Sequence, residues 1–258
     1  MHVYEDRFPL VPQATFKPPH APLADYRAVQ RALGLSRAVL VQPSGYGFDN
    51  RCMLEALHEL GDSVRAVAIV PTDVADAELE RLTRAGVRGI RYFLLPGGLL
   101  PWESLEPMAA RVAGFGWHVQ AQFDGRELPR YEAMLAHLPV KLVIDHNGKF
   151  LEPVATDHPG FLSLLRLLEG GNTWVKLSAP YETSKLGPPR YDDVGILAKA
   201  LVEARPDRCV WASNWPHPNR NPPPDTGELL DLLWEWAPND ETRRRILVDN
   251  PAQLYGFE

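Results

Sequence analysis

Seven short runs rich in Val and Ile, separated by stretches of helical periodicity, constrain this chain more than any other feature. They are R-A-V-L-V-Q-P, V-R-A-V-A-I-V, V-R-G-I-R-Y-F-L-L, W-H-V-Q-A-Q-F, V-K-L-V-I-D-H, T-W-V-K-L-S and R-C-V-W-A-S-N, starting near Arg37, Val64, Val87, Trp117, Val140, Thr173 and Arg208. The starts recur every ~23 to 35 residues, the length of a strand plus a returning helix. Strands that alternate with helices build a parallel sheet. The clearest helix starts at Asp76, read as its N-cap, and carries Leu79, Leu82 and Ala85 on one face before Gly86 stops it. At the end of the chain Asn250 is read as the cap of a helix with Pro251 in its first position.

The pattern predicts an α/β chain forming one (β/α)8 TIM-type barrel domain over residues 1–258, with the first strand truncated or missing at the N-terminus. That strand would precede Tyr4, so Met1 reads as an internal methionine of a longer barrel sequence. A length of 258 residues with 45% hydrophobic content suits a single large core. A net charge of -6 without a Lys/Arg cluster argues against a nucleic-acid surface. No run is apolar and long enough to span a bilayer, and the N-terminus lacks the regions of a signal peptide. Cys52 and Cys209 form no close-spaced pair and read as buried thiols, so the expected setting is a reducing cytoplasm. Oligomeric state stays open.

In a barrel of this class the chemistry gathers at the C-terminal ends of the strands. Those ends carry Gln42 and Ser44, Thr72, Arg91, Gln122, Asp145 and His146, Ser178, and Asn214, with His2 joining them if a strand precedes it. Arg91 lies inside an apolar strand on the same side as Gly89 and Phe93. Its guanidinium either meets a substrate anion or carbonyl, or forms a structural salt bridge in the wall. V-I-D-H-N-G-K drives a hydrophobic strand into Asp145, His146 and a glycine turn. The S-G-Y-G-F-D-N loop either offers backbone N–H groups to a carboxylate or is a turn into a helix capped by Asp49. His217, between two prolines, either points into the pocket or pins its loop. His20, His58, His118, His137 and His158 read as structural or surface groups.

A catalytic zinc needs three protein ligands. Only His2 and His146 are well placed for one, with His217 a remote third, and Gln122 and Asn214 are neutral amides. No metal and no cofactor are expected.

The motifs V-L-V-Q-P-S-G-Y-G-F-D-N-R, G-V-R-G-I-R, V-I-D-H-N-G-K, W-V-K-L-S and W-A-S-N-W-P-H-P-N, in this order, resemble the amidohydrolase-related family. The similarity runs from His2 to the closing N-P-A-Q-L-Y-G-F and lies nearest to the branch of 2-pyrone-4,6-dicarboxylate lactonase and sugar-acid lactone isomerases. The resemblance implies lactone chemistry without a metal. His2 matches the second histidine of a His-x-His pair at the first strand. Arg91 matches a substrate-binding arginine, His146 a histidine that polarises the ring carbonyl, and Ser44 a serine that contacts substrate. Gln122 stands where the family has a tyrosine, Lys149 where it has an arginine, and Glu182 near a further arginine.

The family's catalytic aspartate falls on Asn214, whose amide cannot accept a proton near neutral pH. Some relatives with Asn at this strand end resemble isomerases, in which the substrate's own hydroxyl attacks the carbonyl. Three functions follow as expectations. The first is an enzyme on lactones of small carboxylated or polyhydroxy acids, with Asn214, His146 and Arg91 catalytic and His2, Ser44, Gln122, Lys149 and His217 binding substrate. The second is a binding protein on the same scaffold. The third is a metal-dependent hydrolase or decarboxylase.

Overall fold

The computed structural model describes residues 1–257. Among them are seven strands: β1 (Ala38–Val41), β2 (Val64–Ala68), β3 (Val87–Phe93), β4 (His118–Gln122), β5 (Leu142–Ile144), β6 (Thr173–Leu177) and β7 (Cys209–Trp211). Their sheet order follows chain order. Every strand starts within about two residues of the position read from the sequence, because the apolar runs mark residues buried on both faces. In β4 and β6 every residue is buried.

The chain divides into two compact units. The first comprises Met1–Gln120 and Asn214–Thr226. Within it β1 pairs parallel with β2, from Ala38 opposite Val64 to Val41 opposite Val67, and β2 pairs parallel with β3. Helices Arg51–Leu60, Asp76–Ala85 and Leu105–Ala113 return the chain between strands. Leu79 and Leu82 are at most 1% exposed, and burying each contributes about 2 kcal/mol. Gly89 has a packing reason to be glycine: a Cβ there would meet the ring of His118 at 2.5 Å. His118 is therefore a core side chain of β4, 3% exposed.

The N-terminal residues take the place expected for a first strand. The Met1 amino group donates to the Val39 carbonyl (3.0 Å), and the Val41 N–H donates to the Met1 carbonyl (2.9 Å). Donating to residue 39 while accepting from residue 41 is the hydrogen-bond pattern of a parallel pair. On its other side the His2 N–H donates to the Trp215 carbonyl at 2.8 Å. His2 is thereby fixed beside both β1 and the segment that follows β7.

The second unit comprises Ala121–Ser213 and the residues from Gly227 onward. Here β5 pairs parallel with β6, and β6 with β7. Lys176 and Asp145 form an ion pair at 3.0 Å, their side chains 7% and 3% exposed. Asp145 also helps burial to push up the pKa of the Tyr255 phenol, on the last helix (Asn250–Tyr255). This aspartate belongs to the framework.

Two helix starts differ from the sequence reading. Asp76 is the first helical residue rather than the cap, and its carboxylate accepts from Arg111 at 2.7 Å. Asn250 is likewise already helical, and its amide donates to the carbonyls of Pro206 and Cys209, both at 2.7 Å. In each case a tertiary partner for the side chain outcompetes the local capping geometry. Gly86 does end its helix, with a left-handed φ of 108°. Among the described residues no helix is long and apolar enough to cross a membrane.

Candidate active-site residues at the strand ends

In the first unit, the polar groups at the ends of β1 and β3 are joined through backbone carbonyls. Arg91 is 7% exposed, and one of its terminal nitrogens donates to the Gln42 carbonyl at 2.9 Å, with its guanidinium 5.3 Å from the Phe93 ring centre. Gln42 is fully buried and spans the next loop, its side-chain nitrogen donating to the Asp49 carbonyl at 2.8 Å. The carbonyl contact orients the fork of Arg91 without neutralising its charge. The His2 Nδ1 lies 2.7 Å from the Val41 carbonyl, so this nitrogen carries the proton that bridges them.

Ser44 begins a 3-10 turn, Ser44–Tyr46, and is 9% exposed. The N–H groups of Tyr46, Gly47 and Asp49 donate to carbonyls of the same loop. They are engaged in making the turn, which fits its reading as an entry into helix Arg51–Leu60. Asp49 accepts from the Arg51 N–H at 3.1 Å, as a capping side chain would, while Asn50 holds the Ile69 backbone through both ends of its amide.

Asn214 and His217 follow β7. Asn214 is 7% exposed and adopts a left-handed backbone, φ 53°; its carbonyl accepts from the His217 N–H at 2.9 Å. His217 is also left-handed and 2% exposed, with Nε2 3.1 Å from the Thr226 hydroxyl. Burial, then the Met1 amino charge, push its pKa down to about 4 against the opposing pull of Asp225. His217 is a neutral ring at ordinary pH, and its contact with the Thr226 hydroxyl lies within the Asn214–Thr226 segment of this unit.

In the second unit, the loops after β5 and β6 are linked by side chains. The His146 Nδ1 lies 2.8 Å from the Ser178 hydroxyl, and Lys149 pairs with Glu182. His146, Asn147 and Lys149 are all left-handed, with φ between 51° and 55°. Ala179, just before the Pro180–Glu182 turn, has φ 48°. Each such residue stores about 1 to 3 kcal/mol of backbone strain. Six of the seven non-glycine residues with positive φ among the described residues lie at the ends of β5, β6 and β7. Gly125 seats this loop: its N–H donates to the Lys149 carbonyl, and a Cβ on it would come within 2.3 Å of the Gly148 carbonyl. Gln122 closes β4 and is 5% exposed.

Ser178, the partner of His146, stood among the polar strand ends but was not singled out as a site residue. Its position directly after W-V-K-L is the signal that marks it. The pairing of Lys149 with Glu182 has no sequence signal, because the two residues lie on separate loops. Among the described residues no group of three His, Cys, Asp or Glu side chains is placed to hold a metal ion. The amides of Gln122 and Asn214 would be weak zinc ligands in any case. An open cleft of ≈ 600 Å³ in the first unit, lined by Phe48, Thr72, Leu100, Met108 and Arg111 among others, includes Thr72 but none of the residues read as catalytic or substrate-binding.

Comparison with known proteins places the chain in a family. The chain is 36% identical over 261 residues to a 2-pyrone-4,6-dicarbaxylate hydrolase of Comamonas testosteroni, covering 97% of this chain and 86% of that protein. It is 34% identical over 260 residues to a D-galactarolactone isomerase of Agrobacterium fabrum, covering 99% and 89%. The apo crystal structure of an Agrobacterium tumefaciens protein matches it with a TM-score of 0.93 at 34% identity, covering 100% of this chain and 94% of that one. The fold is thus the α/β TIM-type barrel fold of these proteins. The amidohydrolase family model matches residues 1–257, and the chain belongs to that family.

Proposed function

We propose that this protein acts on lactones of small carboxylated or polyhydroxy acids, and that it moves the acyl group between hydroxyls of the substrate rather than to water. Asn214 carries this reading. It stands at the end of β7, where the resemblance calls for a general-base aspartate, and its amide can orient an attacking oxygen but cannot take its proton.

The chemistry balances without water. A substrate hydroxyl attacks the lactone carbonyl carbon and forms a new C–O bond, and the original ring C–O bond breaks. The proton of the attacking hydroxyl ends on the departing ring oxygen. In this reading His146, oriented by Ser178, polarises the carbonyl and carries that proton. Arg91 holds a carboxylate or the carbonyl oxygen, and Asn214 orients the attacking hydroxyl. His2, Ser44 and Gln122 contact substrate, while His217 acts as the pin of its loop. The relatives named as a lactone hydrolase and a lactone isomerase support the substrate class. A cytoplasmic setting fits the two buried free thiols, Cys52 and Cys209.

Incubation with a panel of aldaric-acid lactones and dicarboxylated lactones, followed by proton NMR, tests the assignment. Conversion of a hydroxylated lactone that is lost in Asn214→Ala supports it. Binding of lactones without turnover by any of them would make the protein a binding module on the family scaffold.

A further inference from the structure

The open cleft of ≈ 600 Å³ in the first unit contains none of the residues assigned to the reaction, and its size falls in the range of small-molecule pockets. Three walls form it. Phe48 comes from the loop after β1, Pro71 and Thr72 from the loop after β2, and the third wall runs from Leu99 through Ser104 into helix Leu105–Ala113. The Asn50 amide donates to the Phe48 carbonyl at 3.0 Å and to the Ile69 carbonyl at 2.8 Å, so one side chain ties the first wall to the second. On the third wall the Tyr92 hydroxyl of β3 donates to the Ser104 carbonyl at 3.0 Å, which anchors the 3-10 turn Trp102–Ser104. The cleft is therefore held in shape by the protein itself.

Most of the lining is apolar, and Phe48 is 43% exposed. The charged groups that line the cleft are Arg111 and Glu103. Arg111 is answered: two of its nitrogens lie 2.7 and 3.2 Å from the Asp76 carboxylate, and a third donates to the Thr72 carbonyl at 3.3 Å. Among the described residues the Glu103 side chain forms no ion pair and no hydrogen bond. The cleft thus offers an apolar ligand one unanswered negative charge and one exposed aromatic residue. Both favour a cation, the ring through the negative face of its π system, whereas an anion would be repelled by Glu103. We propose that this cleft is a second ligand site, which binds an organic cation: an ammonium carried on an apolar ring-sized body. The site stands apart from the lactone reading, because Asn214, His146 and Arg91 do not line it.

Titration of the nitrogen-15-labelled full chain with tryptamine, tryptophol and indole-3-propionate tests the site by NMR. The three probes share one ring and differ in charge. Tryptamine, an ammonium at neutral pH, is expected to shift the Phe48, Thr72, Leu100 and Glu103 amides saturably. Its Kd is expected to lie at least about 3-fold below that of the neutral alcohol, with the carboxylate weakest. Glu103→Gln is expected to weaken tryptamine by about 3- to 5-fold and to leave the alcohol unchanged. Phe48→Leu keeps an apolar side chain without a ring and is expected to weaken tryptamine by about 2- to 5-fold. Both positions are exposed, so the fold is expected to survive each change, as thermal unfolding checks. Equal affinity for the three probes would overturn the proposal, as would no saturable binding of tryptamine, shifts centred on other residues, or an unchanged preference in Glu103→Gln. A dimer of the free protein that tryptamine dissociates would make a second copy of this chain the occupant and would overturn it as well.

Discussion

The end of β7 and the ends of β5 and β6 hold their polar groups by different means. After β5 and β6, side chain holds side chain: His146 meets Ser178 and Lys149 meets Glu182, on backbones bent into the left-handed region. After β7 the groups are neutral and held largely by backbone. Asn214 accepts the His217 N–H on its carbonyl, Trp215 accepts from His2, and His217 reaches the Thr226 hydroxyl. The loops after β5 and β6 thus carry an imidazole and a lysine–glutamate pair, while the segment after β7 carries an amide and an imidazole that burial keeps neutral at ordinary pH. The difference suits the proposed function, in which protons move through His146 and Asn214 only orients.

Removing the imidazole is the most severe way to break this contrast. His146→Ala is expected to lower kcat by about 10²- to 10⁴-fold while the protein stays folded, measured by steady-state kinetics beside thermal unfolding. A loss confined to Tm would make His146 a framework group like Asp145. The buried pair next to it should respond in the opposite way. Lys176→Met leaves the Asp145 carboxylate buried without its cation, and a loss of about 3 to 5 kcal/mol is expected in urea unfolding.

The β7 side is read by pH. The pKa of His217 is about 4 in the folded protein, below the 6.5 of an exposed histidine. The unfolded chain therefore takes up a proton first as pH falls. The stability contributed by the neutral ring is complete above about pH 6.5, declines between that value and about pH 4, and is lost below it; at most about 3 kcal/mol is involved. Unfolding free energies across this window should flatten in His217→Gln, and an equal decline in the variant would assign the acid sensitivity elsewhere. The smallest effect is expected from Ser178→Ala. Loss of one hydrogen bond to His146 should reduce kcat by about 3- to 10-fold, with recovery in Ser178→Thr.

The seven strands were legible because residues covered on both faces must be apolar, and short apolar runs between helical repeats have one economical arrangement. His146, Arg91 and Asn214 were legible as polar residues that end or interrupt such runs. Three things were not. The partners Ser178, Glu182 and Thr226 lie 9 to 33 residues away from the groups they hold, so only the fold brings them together. Asp76 and Asn250 looked like caps because capping depends on local sequence, while their tertiary partners Arg111, Pro206 and Cys209 do not show there. The burial of His217 and its contact with the Thr226 hydroxyl are likewise not encoded by the W-P-H-P spacing.

The central claim is that the acyl group passes to the substrate's own hydroxyl, because Asn214 puts an amide where the resemblance calls for a general-base aspartate. Turnover of an aldaric-acid lactone in water enriched with oxygen-18, followed by mass spectrometry, tests it directly. Isomerisation predicts a product with the mass of the substrate and no label from solvent. A ring-opened product carrying one oxygen-18 atom in its new carboxylate, formed in the first turnover, would show that water is the nucleophile and contradict the role given to Asn214.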